Sequence, residues 1–300
     1  MRYRILVRSN YQYTAPVRFA RHAFRLLPRT TLHQRVVSAE LQVEPTPYQC
    51  DEGTDFFGNR VVQVALEKPH ARLAIRMDAD VEVTGSAPAD LERTPSWEAV
   101  REEAIASGDS GPAGPAHYLH PGSHTGANDE MVAFAREHLR PGRPLLAAAF
   151  DLACAIHRDF DYVPGATDVD TTAAQSLALR RGVCQDFAHI MLAALRSLGL
   201  PAAYVSGLLR TRPPQGMPRL EGADAMHAWV SVWAGGAAGW QDIDPTNALL
   251  VAEDHIRIAV GREYADVAPI DGVIVAAGEQ THDVSVDVVP LIERTVPGGS

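Results

Sequence analysis

Residues 179–200, LRRGVCQDFAHIMLAALRSLGL, set a cysteine at the mouth of an apolar helix. From Phe187 onward, Phe187, Ile190, Met191, Ala194, Leu195 and Leu198 recur at steps of three and four, which is one apolar face of a helix. Gly199 and Pro201 supply the stop. Cys184 therefore falls in the first turn, where backbone N–H groups have no partner inside the helix. Two readings of that position are open. A cysteine is a small residue that packs readily in a core. Alternatively, the helix start lowers the thiol pKa and makes a nucleophile. This stretch alone weighs the two equally.

The chain around it is that of an ordinary globular protein. Its 300 residues, 46% hydrophobic and 21% charged, are enough for one or two domains with a sizeable core. A formal net charge of −10 argues against a nucleic-acid or anionic-membrane partner. The opening MRYRILVRSNYQYTAPV has neither the apolar core nor the cleavage site of a signal peptide, and no run reads as a membrane helix. Three scattered cysteines, Cys50, Cys154 and Cys184, suit neither a disulfide framework nor a zinc cluster. A cytoplasmic setting, where a thiol stays free, is expected. No cofactor or metal is called for.

Residues 1–105 read as an N-terminal β-domain. YRILV, TLHQRVVSAELQVEP, NRVVQVALE and ARLAIRMDADVEVTG are β-rich or alternate in period two, with Pro and Gly between them. They predict an antiparallel sandwich-like unit. Residues 106–128, rich in Gly, Pro, Ser and Ala, read as a linker. Their His117, His120 and His124 are scattered and are not expected to bind metal. Residues 129–300 read as a catalytic core with a C-terminal β extension. DEMVAFAREHL and RPLLAAAFDLACAIHRDF are helical, the latter with Cys154 in its packing, and the Cys184 helix is the third. PAAYVSGLL, HAWVSVW, GWQDID and DVSVDVVPLI are strands. The predicted class is α+β, with helices packed on an antiparallel sheet.

A cysteine nucleophile needs a base nearby and a group to orient that base. In MHAWVSVW, His227 heads an alternating strand and shares a face with Trp229, Ser231 and Trp233. The next strand, GWQDIDPTN, offers Asp242 and Asp244 on one face. If the two strands pair antiparallel, an acid stands beside His227 and holds one tautomer. His189 is the rival base, but it lies about 140° round the helix from Cys184. Packing or a local hydrogen bond is its expected role.

GVCQDFAHIMLAALRSLGLPAAYVSGLL, MHAWVSVW and GWQDIDPTN resemble the three core motifs of the bacterial transglutaminase-like cysteine proteases. NYQYTAPV, RLLPRTTLHQRV and DFFGNRV resemble that family's N-terminal β-domain, and VGREYADVAPIDGV its C-terminal extension. The resemblance implies a papain-like, transglutaminase-like core and a thioester formed on Cys184. It assigns His227 as general base and acid, and it selects Asp244 over Asp242 as the orienting acid. Gln185 follows the cysteine where animal transglutaminases carry tryptophan, so hydrolysis of a peptide or protein substrate is expected over amine cross-linking.

The backbone N–H of Cys184 is the expected oxyanion donor, with Gln185, Tyr162 and Gln175 as candidates for a second donor or a substrate contact. Asp186, in the first helical turn, and the acidic loop RLEGADAM before His227 read as structural first. The alternative to an enzyme is a catalytically silent binding module on the same fold.

Overall fold

The computed structural model describes residues 1–85, 90–212, 220–222 and 224–291. The first six strands are β1 (Arg2–Val17), β2 (Phe19–Phe24), β3 (Gln34–Glu44), β4 (Gln49–Thr54), β5 (Arg60–Leu66) and β6 (His70–Val83). In β1, buried Tyr3, Ile5, Val7 and Ser9 alternate with more exposed neighbours, the signature of a sheet with one covered face. In β6, Leu73, Ile75, Met77, Ala79 and Val81 do the same. Their apolar sides join one buried cluster with those of β2 and β5, including Phe24, Val62 and Val64.

The rest of the chain runs α1 (Trp97–Ala106), α2 (Asp129–His138), α3 (Leu145–Asp159), β7 (Asp161–Tyr162), α4 (Ala173–Leu179), β8 (Arg181–Gly182), α5 (Cys184–Ser197), β9 (Ala202–Leu209), β10 (Ala225–Trp233), β11 (Trp240–Asp244), β12 (Leu249–Leu250), β13 (His255–Gly261), α6 (Tyr264–Val267), β14 (Ile270–Val275) and β15 (Gln280–Leu291). An antiparallel sheet of order β12-β11-β10-β9-β13 forms the core, and α5 packs against β10 and β9. The α+β class with antiparallel sheets is what the residue pattern predicts.

Helix α5 departs from its predicted single apolar face. Every residue from Asp186 to Arg196 is buried, because α2, α3 and α4 surround the side that the sheet leaves free. Burying a large apolar side chain contributes roughly 1.5–3 kcal/mol. Phe187, Ile190, Met191, Leu192 and Leu195 thus make this helix the anchor of the domain.

Two boundaries differ from expectation. The C-terminal strands, expected to extend the 129–300 core, close the N-terminal sheets instead. β15 pairs antiparallel with β1 along twelve residues, giving a sheet β15-β1-β6-β3, and β14 pairs with β2 in a sheet β14-β2-β5-β4. The strand edges of β1 and β2 attract them because an unpaired row of N–H and C=O groups is costly to leave bare.

Residues 106–128 are not a loose linker either. Tyr118 and Thr125 are buried, and a short 3-10 turn spans Pro115–Tyr118. Arg196 of α5, itself buried, donates to the Tyr118 carbonyl at 3.0 Å and to Thr125 Oγ1 at 3.0 Å. Glu263 accepts from Ser123 N, Ser123 Oγ and His124 N at 3.0, 2.7 and 3.0 Å. Trp240 Nε1 donates to the Ala113 carbonyl. Gly- and Pro-rich composition here serves close packing rather than slack. Among the described residues no helix is long and apolar enough to cross a membrane.

Candidate active site

Cys184 opens α5, half-buried, with Val183 as an extended residue before it. Asp186 holds this helix start in place. Its Oδ2 accepts from Val183 N at 2.8 Å and Thr167 Oγ1 at 2.7 Å, and its Oδ1 accepts from Ser176 Oγ at 2.9 Å. Asp186 is 1% exposed and is a structural cap, as the residue pattern suggests. Gly182 makes the cap possible, since a Cβ there would stand 2.5 Å from Asp186 Oδ2.

His227 lies near the start of β10, which pairs antiparallel with β11 through Val230↔Ile243 and Ser231↔Asp242. Its Nε2 stands 2.8 Å from Asp244 Oδ2, in a buried pair. The other ring nitrogen, Nδ1, is left for the thiol. Burial opposes the imidazolium of His227. Hydrogen bonds to Asp244 and to Cys184 outweigh that burial and raise the pKa to about 9.

Asp244 is fully buried and lies at the start of a turn, DPTN, whose geometry serves it. Thr246 N and Asn247 N donate to Oδ1 at 2.8 and 3.2 Å, an Asx-type turn. Asn247 Nδ2 donates to Oδ2 at 2.7 Å. Burial pushes this carboxyl up, but the donors, His227 first, hold it well below the usual carboxylate range. Asp242 has other partners. Trp229 Nε1 donates to it at 2.9 Å and Arg257 pairs with it, so its acidity is spent on structure.

The lower-ranked candidates separate clearly. Tyr162 is fixed beside Cys184 by the two-residue parallel pairing of β7 with β8, where Tyr162 stands opposite Gly182. Burial raises its phenol pKa, as do the charge of Cys184 and a hydrogen bond to its side chain, against a smaller opposing effect of the Cys184 backbone. Gln185 donates to the Val169 carbonyl at 3.2 Å and steadies the loop ahead of α4. Gln175 is committed elsewhere: its Oε1 accepts from Thr172 N and Oγ1 in a capping box at the start of α4.

His189 is fully buried and accepts from Tyr264 N at 3.2 Å, and burial lowers its pKa to about 3. It is a packing residue, as its helical angle implies. Arg219 and Ala223 of the RLEGADAM loop lie outside the described residues. Asp224 of that loop accepts from Thr211 N and Val288 N and ties β15 to the core.

His255 is the residue that sequence reasoning missed. It opens β13, is 5% exposed, and its Nε2 stands 3.0 Å from Asp244 Oδ2. No motif flags it, because its distance from Asp244 is set by strand order. Among the described residues, His227, Asp244 and His255 are the one set whose types and spacing could hold a metal ion. Both imidazoles aim at a single oxygen at hydrogen-bond length, and an ion would need to stand about 2.0–2.2 Å from each ligand. The arrangement reads as a proton network.

Comparisons with known proteins bear on the family and the fold. Residues 3–82 match the family described as the bacterial transglutaminase-like N-terminal region, and residues 132–245 match the transglutaminase-like superfamily. The chain is 39% identical to an uncharacterized protein of Mycobacterium tuberculosis over 97% of its own length and 93% of the relative's. A protein-glutamine gamma-glutamyltransferase of Pseudomonas aeruginosa is 32% identical over 38% of this chain and 18% of that protein. Among solved structures, a candidate cysteine protease from Cytophaga hutchinsonii superposes with a TM-score of 0.75 at 21% identity, covering 97% of this chain and 92% of that one. At that identity the likeness speaks for the fold.

Proposed function

The chain belongs to the transglutaminase-like superfamily, and from that premise we propose that it is a cysteine-dependent acyl-transfer enzyme acting on amide or isopeptide bonds. The observation that carries the reading is the unbroken contact from Cys184 through His227 to a buried, ionised Asp244. A thiolate and an imidazolium stabilise one another, and Asp244 stabilises the imidazolium. The raised pKa of His227 keeps the imidazolium available beside the sulfur that attacks.

The thiolate adds to the carbonyl carbon of a peptide or protein substrate. The C–N bond then breaks as His227 passes its proton to the leaving amine, and the acyl group stays on Cys184 as a thioester. His227, now neutral, takes a proton from water, which attacks the thioester and releases a carboxylic acid, restoring the Cys184 thiolate beside the His227 imidazolium. An amine in place of water would give a new amide. We favour water, because Gln185 stands where the cross-linking enzymes carry tryptophan. The oxyanion is stabilised by the Cys184 backbone N–H at the helix start and by the Tyr162 hydroxyl, the one candidate among three that interacts with Cys184. Three free cysteines suit a reducing compartment, the cytoplasm, as the setting.

The test is to trap the acyl-enzyme on a peptide library and identify the acyl group by mass spectrometry. A thioester on Cys184 that water discharges supports the reading. A Cys184 that never acylates and alkylates only as a free thiol returns the fold to a binding role.

A further inference from the structure

A second imidazole reaches the carboxylate that holds His227. β13 lies beside β9, whereas β11 lies beyond β10, so His255 must cross two strands to meet Asp244. Gly207 of β9 makes room for an indole between them. It pairs with His227 on one side and with Arg257 on the other, and a Cβ there would meet the Trp229 ring at 2.3 Å. With no side chain at 207, the Trp229 indole lies across β9, and the His255 ring stands edge-on to it with centroids 5.2 Å apart. Each β11 carboxylate then has one partner from β10 and one from β13. Asp244 has His227 and His255; Asp242 has Trp229 and Arg257.

The proton on His255 follows from its partners. Asp244 accepts, so Nε2 carries hydrogen, while the buried Nδ1 has no partner among the described residues. A second proton there would bury an unpaired charged N–H, which is costly. His255 is thus a fixed Nε2–H donor to Asp244, while His227 is the imidazole whose pKa is raised.

We propose that His255 is a positioning residue for the Cys184–His227 chemistry: its Nε2–H, reaching Asp244 Oδ2 from β13, holds that oxygen in line with the His227 imidazolium. The proposal rests on the reading given under Proposed function. Burial opposes the charge on Asp244, and the donors from His227 and then His255 counter it. Removing the His255 donor frees Asp244 Oδ2 to turn toward its remaining donors, Asn247 Nδ2 among them, and a displaced carboxylate gives the imidazolium and, through it, the thiolate less support. The other titratable groups around this set are Cys184 and Asp186 of α5, Tyr162 of β7, Tyr204 of β9, and the Asp242–Arg257 pair. Asp254, next to His255 in sequence, is turned toward Tyr3, Arg210 and Arg212.

The experiment measures the alkylation rate of Cys184 by iodoacetamide against pH in the full chain, for wild type, His255→Phe and His255→Gln, with near-UV circular dichroism to check the fold. Phenylalanine keeps the ring volume without the donor. Glutamine gives up the ring but places an amide N–H near the Nε2 position. In His255→Phe the midpoint should rise by about one pH unit, a roughly tenfold slower reaction on the acid side. His255→Gln should stay within about twofold of wild type. A folded His255→Phe with the wild-type profile, or a His255→Gln that shifts as far as His255→Phe, would overturn the proposal and leave His255 a packing residue. A wild-type midpoint already at the free-thiol value of about 8.5 would overturn the acyl-transfer reading as well.

Discussion

His227 Nε2 meets Asp244 Oδ2 at 2.8 Å on the diagonal of two antiparallel strands, not straight across them. Continuing the register by one step from Val230↔Ile243 sets Trp229 opposite Asp244. A directly opposed histidine would project parallel to the carboxylate; the diagonal lets the ring point at it.

The first prediction follows from that shared ring. Cys184 and His227 act as one unit, so removing either should cost as much as removing both. Cys184→Ala should abolish turnover with the fold intact. In His227→Ala, Cys184 should alkylate only as pH approaches about 8.5, while wild type reacts at lower pH. Rate-against-pH curves for the two proteins decide it; superimposable curves would mean that His227 does not touch the thiol.

The two strand-β11 carboxylates should part company on mutation. Asp244→Asn removes the charge that orients His227 and should lower kcat/KM by orders of magnitude. Asp242→Asn breaks the contact with Arg257 and weakens that with Trp229, so it should lower the melting temperature and leave the alkylation profile of Cys184 near that of wild type. Paired thermal melts and kinetics separate these outcomes, and a larger kinetic loss at Asp242 would reverse the assignment.

Tyr162→Phe removes a hydroxyl that interacts with Cys184 and leaves the ring in place. Loss of one oxyanion donor costs about 10²–10³ in kcat. Acylation should slow on that scale with KM little changed. A variant as fast as wild type would leave the Cys184 N–H without this partner.

The strap formed by residues 118–125 should be acid-sensitive. Burial raises the Glu263 pKa, but hydrogen bonds from Ser123 and His124 outweigh it and hold the folded value below 4.5. A depressed carboxyl contributes stability fully above its unfolded pKa and loses it as pH falls through the folded one. Below about pH 4, limited proteolysis should therefore begin within residues 106–128. Glu263→Gln should bring that cleavage to neutral pH and cost about 2 kcal/mol, the scale of a hydrogen bond to a charged group. Cleavage that is independent of both pH and Glu263 would disprove the strap's dependence on this carboxylate.

Cys154 and Cys50 should be dispensable for turnover. Cys154 is half-buried in α3, where burial raises its thiol pKa, and Cys50 is exposed on the edge strand β4. Neither has an activating neighbour. Cys154→Ser should fold, keep its Cys184 labelling and keep its rate; loss of rate with both of the others intact would contradict this.

Much of this protein is local, and local properties can be read along a chain. Cys184 at a helix start and His227 at a strand start are each marked by periodicity within a few residues, while the choice of Asp244 over Asp242 comes from the family resemblance. The α+β class follows from the same patterns. What tertiary structure alone decided depends on which strands become neighbours. His255 and Arg257 sit in an unremarkable run, HIRIAVG, and acquire partners only because β13 lies beside β9 in the sheet, on the same side as β11's carboxylates. β14 and β15 follow the core in sequence yet complete the N-terminal sheets, since edge hydrogen bonding takes no account of distance along the chain. Residues 106–128 have a linker's composition, and it is Arg196 and Glu263, buried and far away in sequence, that turn them into a packed strap. Spacing along a chain carries side-chain direction; contact across a sheet requires its topology.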